Sequence, residues 1–230
     1  MKRSVVRWGF GLLVAVIAIG LVAFELRHRQ GVERAHQAFA SYQPPRLGDF
    51  GETRSLTITP LVDYHIGRPE LVGEVGLSYL VETDDHRILF DVGHNARAES
   101  PSPLEHNMGE LGIGLASIDT VFISHNHLDH VGGMQRQQER SFSMGNEQVE
   151  LSHPDIQAFV PVSMTYPGLS PIVADEPMSI GRGLATTGTV PRQLVLGWID
   201  EQSLAINVAG LGVVLIVGCG HQPIPNLLRR

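Results

Sequence analysis

Ser124-His125-Asn126-His127-Leu128-Asp129-His130 decides how the rest of this chain is read. Three histidines and one aspartate fall within six residues, directly after the apolar run Thr120-Val121-Phe122-Ile123 and just before Gly132-Gly133. In extended backbone, positions i and i+2 face the same way, so His125 and His127 can hold one metal ion. Asp129 and His130 come one step later and can hold a second. Imidazole nitrogen and carboxylate oxygen suit Zn²⁺, and also Fe or Mn. A polar loop rich in histidine by chance does not account for an apolar strand that ends in this pattern.

A second apolar run ends in the same kind of residue. Val213-Val214-Leu215-Ile216-Val217 leads into Gly218-Cys219-Gly220-His221. If the two strand ends meet at one edge of the core, their side chains converge. His221 is then a further metal ligand. Cys219 is either a thiolate ligand or a small buried residue. A hydrolytic site keeps one coordination position open for water, whose pKa falls towards ~7 on Zn²⁺. Asp129 suits the catalytic role of binding a second ion and orienting the metal-bound hydroxide. Asp91, at the end of the strand Arg87-Ile88-Leu89-Phe90-Asp91, either hydrogen-bonds a ligand histidine from behind or caps the Gly93 turn. His94, His106 and His153 are weaker candidates.

Around these two points the chain reads as α/β. Residues 55–62, 77–83 and 87–91 alternate as strands of an antiparallel meander. Residues 104–111 read as a short helix stopped by Gly112. A helix over 131–140 begins on the histidine loop, where glycine permits close backbone approach. A strand over 157–160 is entered through His153-Pro154. Residues 161–183, with Pro161, Pro167, Pro171 and Pro177, read as an irregular wall or lid. Strands over 194–198, 203–208 and 212–217 follow.

The N-terminus is of another kind. Trp8 to Phe24 is a run of seventeen residues without a charge. That is the short end of what spans a bilayer as a helix. No small-x-small cleavage site follows, so residues 1–30 read as an uncleaved signal anchor, a transmembrane helix crossing the membrane through residues 8–24. Early positive charges place the body outside the cytoplasm, on the periplasmic side. Residues 31–53 form a stalk and linker broken by Pro44-Pro45, and 54–230 the catalytic domain.

The net charge is −7, and residues 1–34 carry six basic and two acidic side chains, which leaves eleven basic and twenty-two acidic for the rest. An acidic body argues against a nucleic-acid partner and leaves a small-molecule substrate. The single cysteine excludes an intrachain disulfide. No feature speaks to oligomeric state.

The motif Ser-His-Asn-His-Leu-Asp-His-Val-Gly-Gly at 124–133 resembles that of the metallo-β-lactamase superfamily. The resemblance is closer to the branch of archaeal 7,8-dihydropterin-6-methyl-4-(β-D-ribofuranosyl)aminobenzene 5'-phosphate synthase and its bacterial relatives. It is carried by Leu61-Val62-Asp63, Leu89-Phe90-Asp91-Val92-Gly93, His106-Asn107, His153-Pro154-Asp155, Thr187-Gly188-Thr189-Val190-Pro191-Arg192, Asp200-Glu201-Gln202-Ser203-Leu204 and Gly218-Cys219-Gly220-His221.

The resemblance implies an αββα sandwich with its metal site at one edge, and hydrolysis of a small ester, phosphoester or lactam-like bond. Pterin-type synthase chemistry is the alternative. His125, His127, Asp129 and His130 match the superfamily's ligands, and Arg192 a position facing substrate. Members of the family continue with further strands and a late histidine. This chain stops at Arg230, so the resemblance implies a C-terminally truncated domain, with an inactive metal-binding homologue as a further alternative.

Overall fold

A computed structural model describes residues 2–43, 47–150, 156–195 and 197–229. The chain forms two compact units. One is Met1–Tyr42 with Pro191–Ile199, the other Gln43–Val190 with Asp200–Arg230.

The smaller unit is dominated by helix α1, Lys2–Ser41. Forty residues at 1.5 Å each make it about 60 Å long. It is one continuous helix, and no glycine or proline lies between Gly31 and Ser41. It is long and apolar enough to cross a membrane. Within this unit the Arg34 guanidinium lies 5.0 Å over the Trp198 ring, a cation–π contact.

The larger unit is built on two sheets. β1 (Leu56–Val62), β2 (Ser78–Thr83) and β3 (Arg87–Phe90) form the expected antiparallel meander. β4 (Thr120–Phe122), β5 (Gln157–Val160) and β6 (Ile172–Val173) then add in parallel, giving the order β1-β2-β3-β4-β5-β6. The second sheet has the order β12-β11-β8-β7, from β7 (Met178–Gly181), β8 (Leu184–Thr186), β11 (Leu204–Val208) and β12 (Gly212–Ile216). β9 (Val190–Leu194) and β10 (Gly197–Glu201) pair with each other.

Alternation along the strands builds a core on each face of the six-stranded sheet. Ile88, Phe90, Phe122 and Phe159 pack against Leu184, Leu204, Ile206 and Ile216 of the second sheet. Leu80, Leu89, Val121 and Ala158 turn the other way. They meet Leu104 and Met108 of α2 (Pro103–Glu110) and Val131 of α3 (Leu128–Val131). α2 starts on a capping box in which Ser102 Oγ accepts from Glu105 N and Glu105 Oε2 accepts from Ser102 N. Its buried Asn107 donates to the carbonyls of Leu61 and Val72 and accepts from Val72 N, fixing the loop after β1. The mixed α/β sandwich implied by the resemblance is the fold observed.

Two expectations are corrected. Residues 161–183 are not wholly irregular, because β6 and β7 lie within them, and β8 follows. The strands are only two to four residues long, too short to show alternation among four prolines. The single helix over 131–140 is two short ones, α3 and α4 (Met134–Glu139). Gly132 and Gly133 separate them at φ +89° and +111°. A Cβ on Gly132 would stand 2.6 Å from Ser143 O, so the break depends on glycine. His153-Pro154-Asp155 lies outside the described residues.

Candidate metal centre

Two neighbouring parallel strands, β3 and β4, deliver the first part of the site. β3 leads into Asp91 and β4 into Ser124-His125, from side by side in the sheet. Asp91 takes a left-handed backbone, φ +56°, and is fully buried. A buried carboxylate needs donors, and it has three. Oδ1 accepts from Ser124 N at 2.7 Å, and Oδ2 accepts from Ser124 Oγ at 2.6 Å and from His130 Nδ1 at 2.7 Å. Asp91 therefore backs a histidine of the motif. Gly93 N is satisfied separately by Leu77 O.

These bonds fix which ring nitrogens face the cluster. The Ser124 hydroxyl has one proton, and its 2.6 Å bond to Asp91 takes it. Its contact with His125 Nδ1 at 2.9 Å then requires Nδ1 to be the donor. That leaves the His125 Nε2 lone pair free of a proton and 3.1 Å from His127 Nδ1. Burial, with His130, His127 and His221 adding to it, holds the His125 pKa well below the usual value. Burial, then His221, lowers that of His127. Burial opposes charge on His130, but the Asp91 carboxylate outweighs it and raises the pKa to about 10. His130 Nε2 points to Cys219 Sγ at 3.0 Å.

The backbone turns from strand to helix inside the motif. His127 is still extended (φ −109°, ψ 151°), and α3 begins at Leu128. The carbonyls of Asp129 and His130 are held by Leu77 N and Val92 N. The ring of His125 lies 4.6 Å from that of His127, 4.1 Å from His130 and 5.0 Å from His221. Among the described residues, two groups have ligand atoms within 4.8 Å of one another: His125, Cys219 and His221, and Asp129, His130 and Cys219. The donors are imidazole, thiolate and carboxylate, with two buried imidazoles backed by hydrogen bonds, and this set fits a divalent transition metal.

The structure thus joins both strand ends noted in the sequence. Gly218 permits the approach, because a Cβ there would collide with Ser124 Oγ. Cys219 is exposed, which removes the reading of a small buried residue. Arg192 lies on β9 in the smaller unit with an exposed side chain. His94 and His106 are tied to the carbonyls of Val75 and Glu70 in the loop after β1.

Two residues within Asp200-Glu201-Gln202-Ser203-Leu204, assigned no role of their own from sequence, join the site. Glu201, fully buried at the end of β10, bridges to His125 in antiparallel fashion. Its carboxylate accepts from Gly220 N at 2.9 Å and His221 N at 2.7 Å, and burial raises its pKa. Gln202 N donates to Ser124 O, and Gln202 Nε2 to the carbonyls of Ile123 and Phe159.

The chain is similar to several known proteins. Residues 71–141 match the profile of the metallo-beta-lactamase superfamily. The chain is 25% identical to 7,8-dihydropterin-6-methyl-4-(beta-D-ribofuranosyl)-aminobenzene-5'-phosphate synthase of Methanocaldococcus jannaschii, over 80% of this chain and 74% of that protein. It is 41% identical to the anti-Pycsar protein Apyc1 of Saccharibacillus brassicae over 56 residues, 24% of this chain and 20% of that one. Among solved structures, a quorum-quenching N-acyl homoserine lactone hydrolase is 17% identical with a TM-score of 0.42, covering 71% of this chain and 73% of that one. The matched segment, which carries the likeness to the metallo-beta-lactamase superfamily, contains the whole histidine–aspartate loop.

Proposed function

We propose that the chain is a metal-dependent hydrolase acting on a small ester, phosphoester or lactam-like substrate, with His125, His127, Asp129, His130 and His221 as ligands of one or two zinc ions. The observation that carries this reading is the pair of donor groups, His125–Cys219–His221 and Asp129–His130–Cys219, which share Cys219. Zinc held there supplies Lewis acidity and a water ionisable near neutral pH. The residues do the rest. The Ser124 bond presents the His125 Nε2 lone pair to the cluster. Asp91 keeps the His130 ring turned so that Nε2 faces it. The Asp129 carboxylate, 30% exposed and 3.6 Å from His130 Nε2, is placed to take a proton from an attacking water.

Metal content of the full chain in detergent tests this reading, beside His125→Ala. Near two equivalents of zinc per wild-type chain are expected, with most of it lost in the variant. Near zero in folded wild type rejects the reading. Pterin-type synthase chemistry is the second reading, favoured by the similarity to the archaeal synthase. Metal uptake with turnover of a pterin substrate, and none of simple esters or phosphoesters, selects it. Metal uptake without turnover selects the inactive homologue.

The same preparation tests the anchor. We propose that α1 holds the chain in a membrane with its body on the extracytoplasmic side. The chain is expected in the membrane fraction, released by detergent but not by alkaline carbonate, and digested by protease added outside spheroplasts. Release by carbonate, or protection from that protease, counts against the anchor or its orientation respectively.

A further inference from the structure

We infer that Glu201 is the positioning residue for the second half of the candidate metal centre: it holds the turn that aims Cys219 and His221 at the histidine loop. This role rests on the proposed function. Both carboxylate oxygens are engaged, one with Gly220 N and one with His221 N, and the side chain is fully buried. Its two donors are the backbone amides of residues adjoining or forming the candidate ligands. The backbone of Glu201 is bridged to His125, so one residue touches both the histidine loop and the Cys219–His221 turn.

The turn needs such a fixture. β12 stops at Ile216, so sheet pairing does not orient residues 217–221. Gly218 and Gly220 flank Cys219, and Gly220 is left-handed at φ +65°. Two glycines give this segment the widest choice of backbone conformations, and Glu201 selects one. Asp91 does the equivalent for the histidine loop through His130 and Ser124.

Joining the sheets falls to the neighbouring residue. The Gln202 amide donates to carbonyls at the ends of β4 and β5, and accepts from Thr186 Oγ1 of β8 at 2.7 Å. This division of labour separates a positioning role from a purely structural one. Glu201→Gln keeps the shape but sets an amide NH₂ against a backbone N–H, so one bond is lost. Gln202→Ala loosens the sheets and leaves the turn's acceptors in place.

The test uses the full chain in detergent, with zinc affinity measured by chelator competition and alkylation of Cys219, the only cysteine. Wild-type Cys219 is expected to be protected by zinc. Glu201→Gln is expected to weaken zinc binding by ~10–100-fold and to lose that protection at zinc levels that shield the wild type. Gln202→Ala is expected to lower the unfolding midpoint while keeping protection in the folded fraction. Folded Glu201→Gln with wild-type affinity and protection overturns the role, as does equal loss of protection in Gln202→Ala. Should Glu201→Gln fail to fold, Glu201→Asp keeps the charge but withdraws it by one methylene. It is expected to lose protection, and wild-type protection there overturns the role. A wild-type chain that takes up no zinc removes the proposed function and this role together.

Discussion

Asp91→Ala is expected to destabilise the metal-free chain by about 3–5 kcal/mol, the cost of removing one partner of a buried charged pair. The side chain is fully buried and accepts three hydrogen bonds. Its loss leaves Ser124 N, Ser124 Oγ and His130 Nδ1 in the core without their acceptor. Domains hold only about 5–15 kcal/mol in total, so a poorly populated fold is expected. The deficit also depends on pH. Asp91 outweighs the burial penalty on His130 and raises its pKa to about 10, from an ordinary 6.5. A raised pKa stabilises fully below the unfolded value and loses that effect as pH rises through the folded one. The wild-type advantage should therefore narrow between pH 7 and 10. Denaturant unfolding of both chains across this range checks it; a gap below about 1 kcal/mol at pH 7 would reject the account.

Phe122→Ala is expected to cost about 3–5 kcal/mol, the usual loss for a buried phenylalanine. Phe122 is fully buried and stacks on Phe90 with centroids 5.3 Å apart and planes at 11°. It lies in the cluster that joins the two sheets, three residues before His125. The cavity would form where the sheets meet, so zinc affinity should fall along with stability. Phe122→Leu fills most of the space and should recover most of both. Unfolding midpoints and chelator competition on the three chains decide this. Unchanged stability in the alanine variant would show that the sheets are held together elsewhere.

The candidate site was legible in the sequence where chemistry is local. His125 to His130 sit within one turn, and the run before them is apolar, so residue type and spacing were enough. Gly218-Cys219-Gly220-His221 was legible for the same reason. Glu201 was not. It follows Trp198-Ile199-Asp200 between two expected strands, and nothing local in that run marks it for burial. Its burial comes from the bridge to His125 and from amides 19 and 20 residues further on. Asp91 stood between two roles because its partners, Ser124 and His130, lie 33 and 39 residues away. The meander was legible because β1 and β2 run to seven and six residues, and β3 follows β2 directly across the short connection 84–86. β6 and β8, with two and three residues, exist through pairing with neighbours and carry no period of their own.

The separation of the two donor sets along the chain also sets an order of events during synthesis. His130 and Cys219 touch across 89 positions. The histidine loop and its carboxylate Asp91 leave the ribosome long before the turn that completes the set. Closing so distant a contact is a late, slow step in folding. A cation caught early by the half-formed loop would wait for the second sheet, and its final capture would mark a nascent chain that has finished folding.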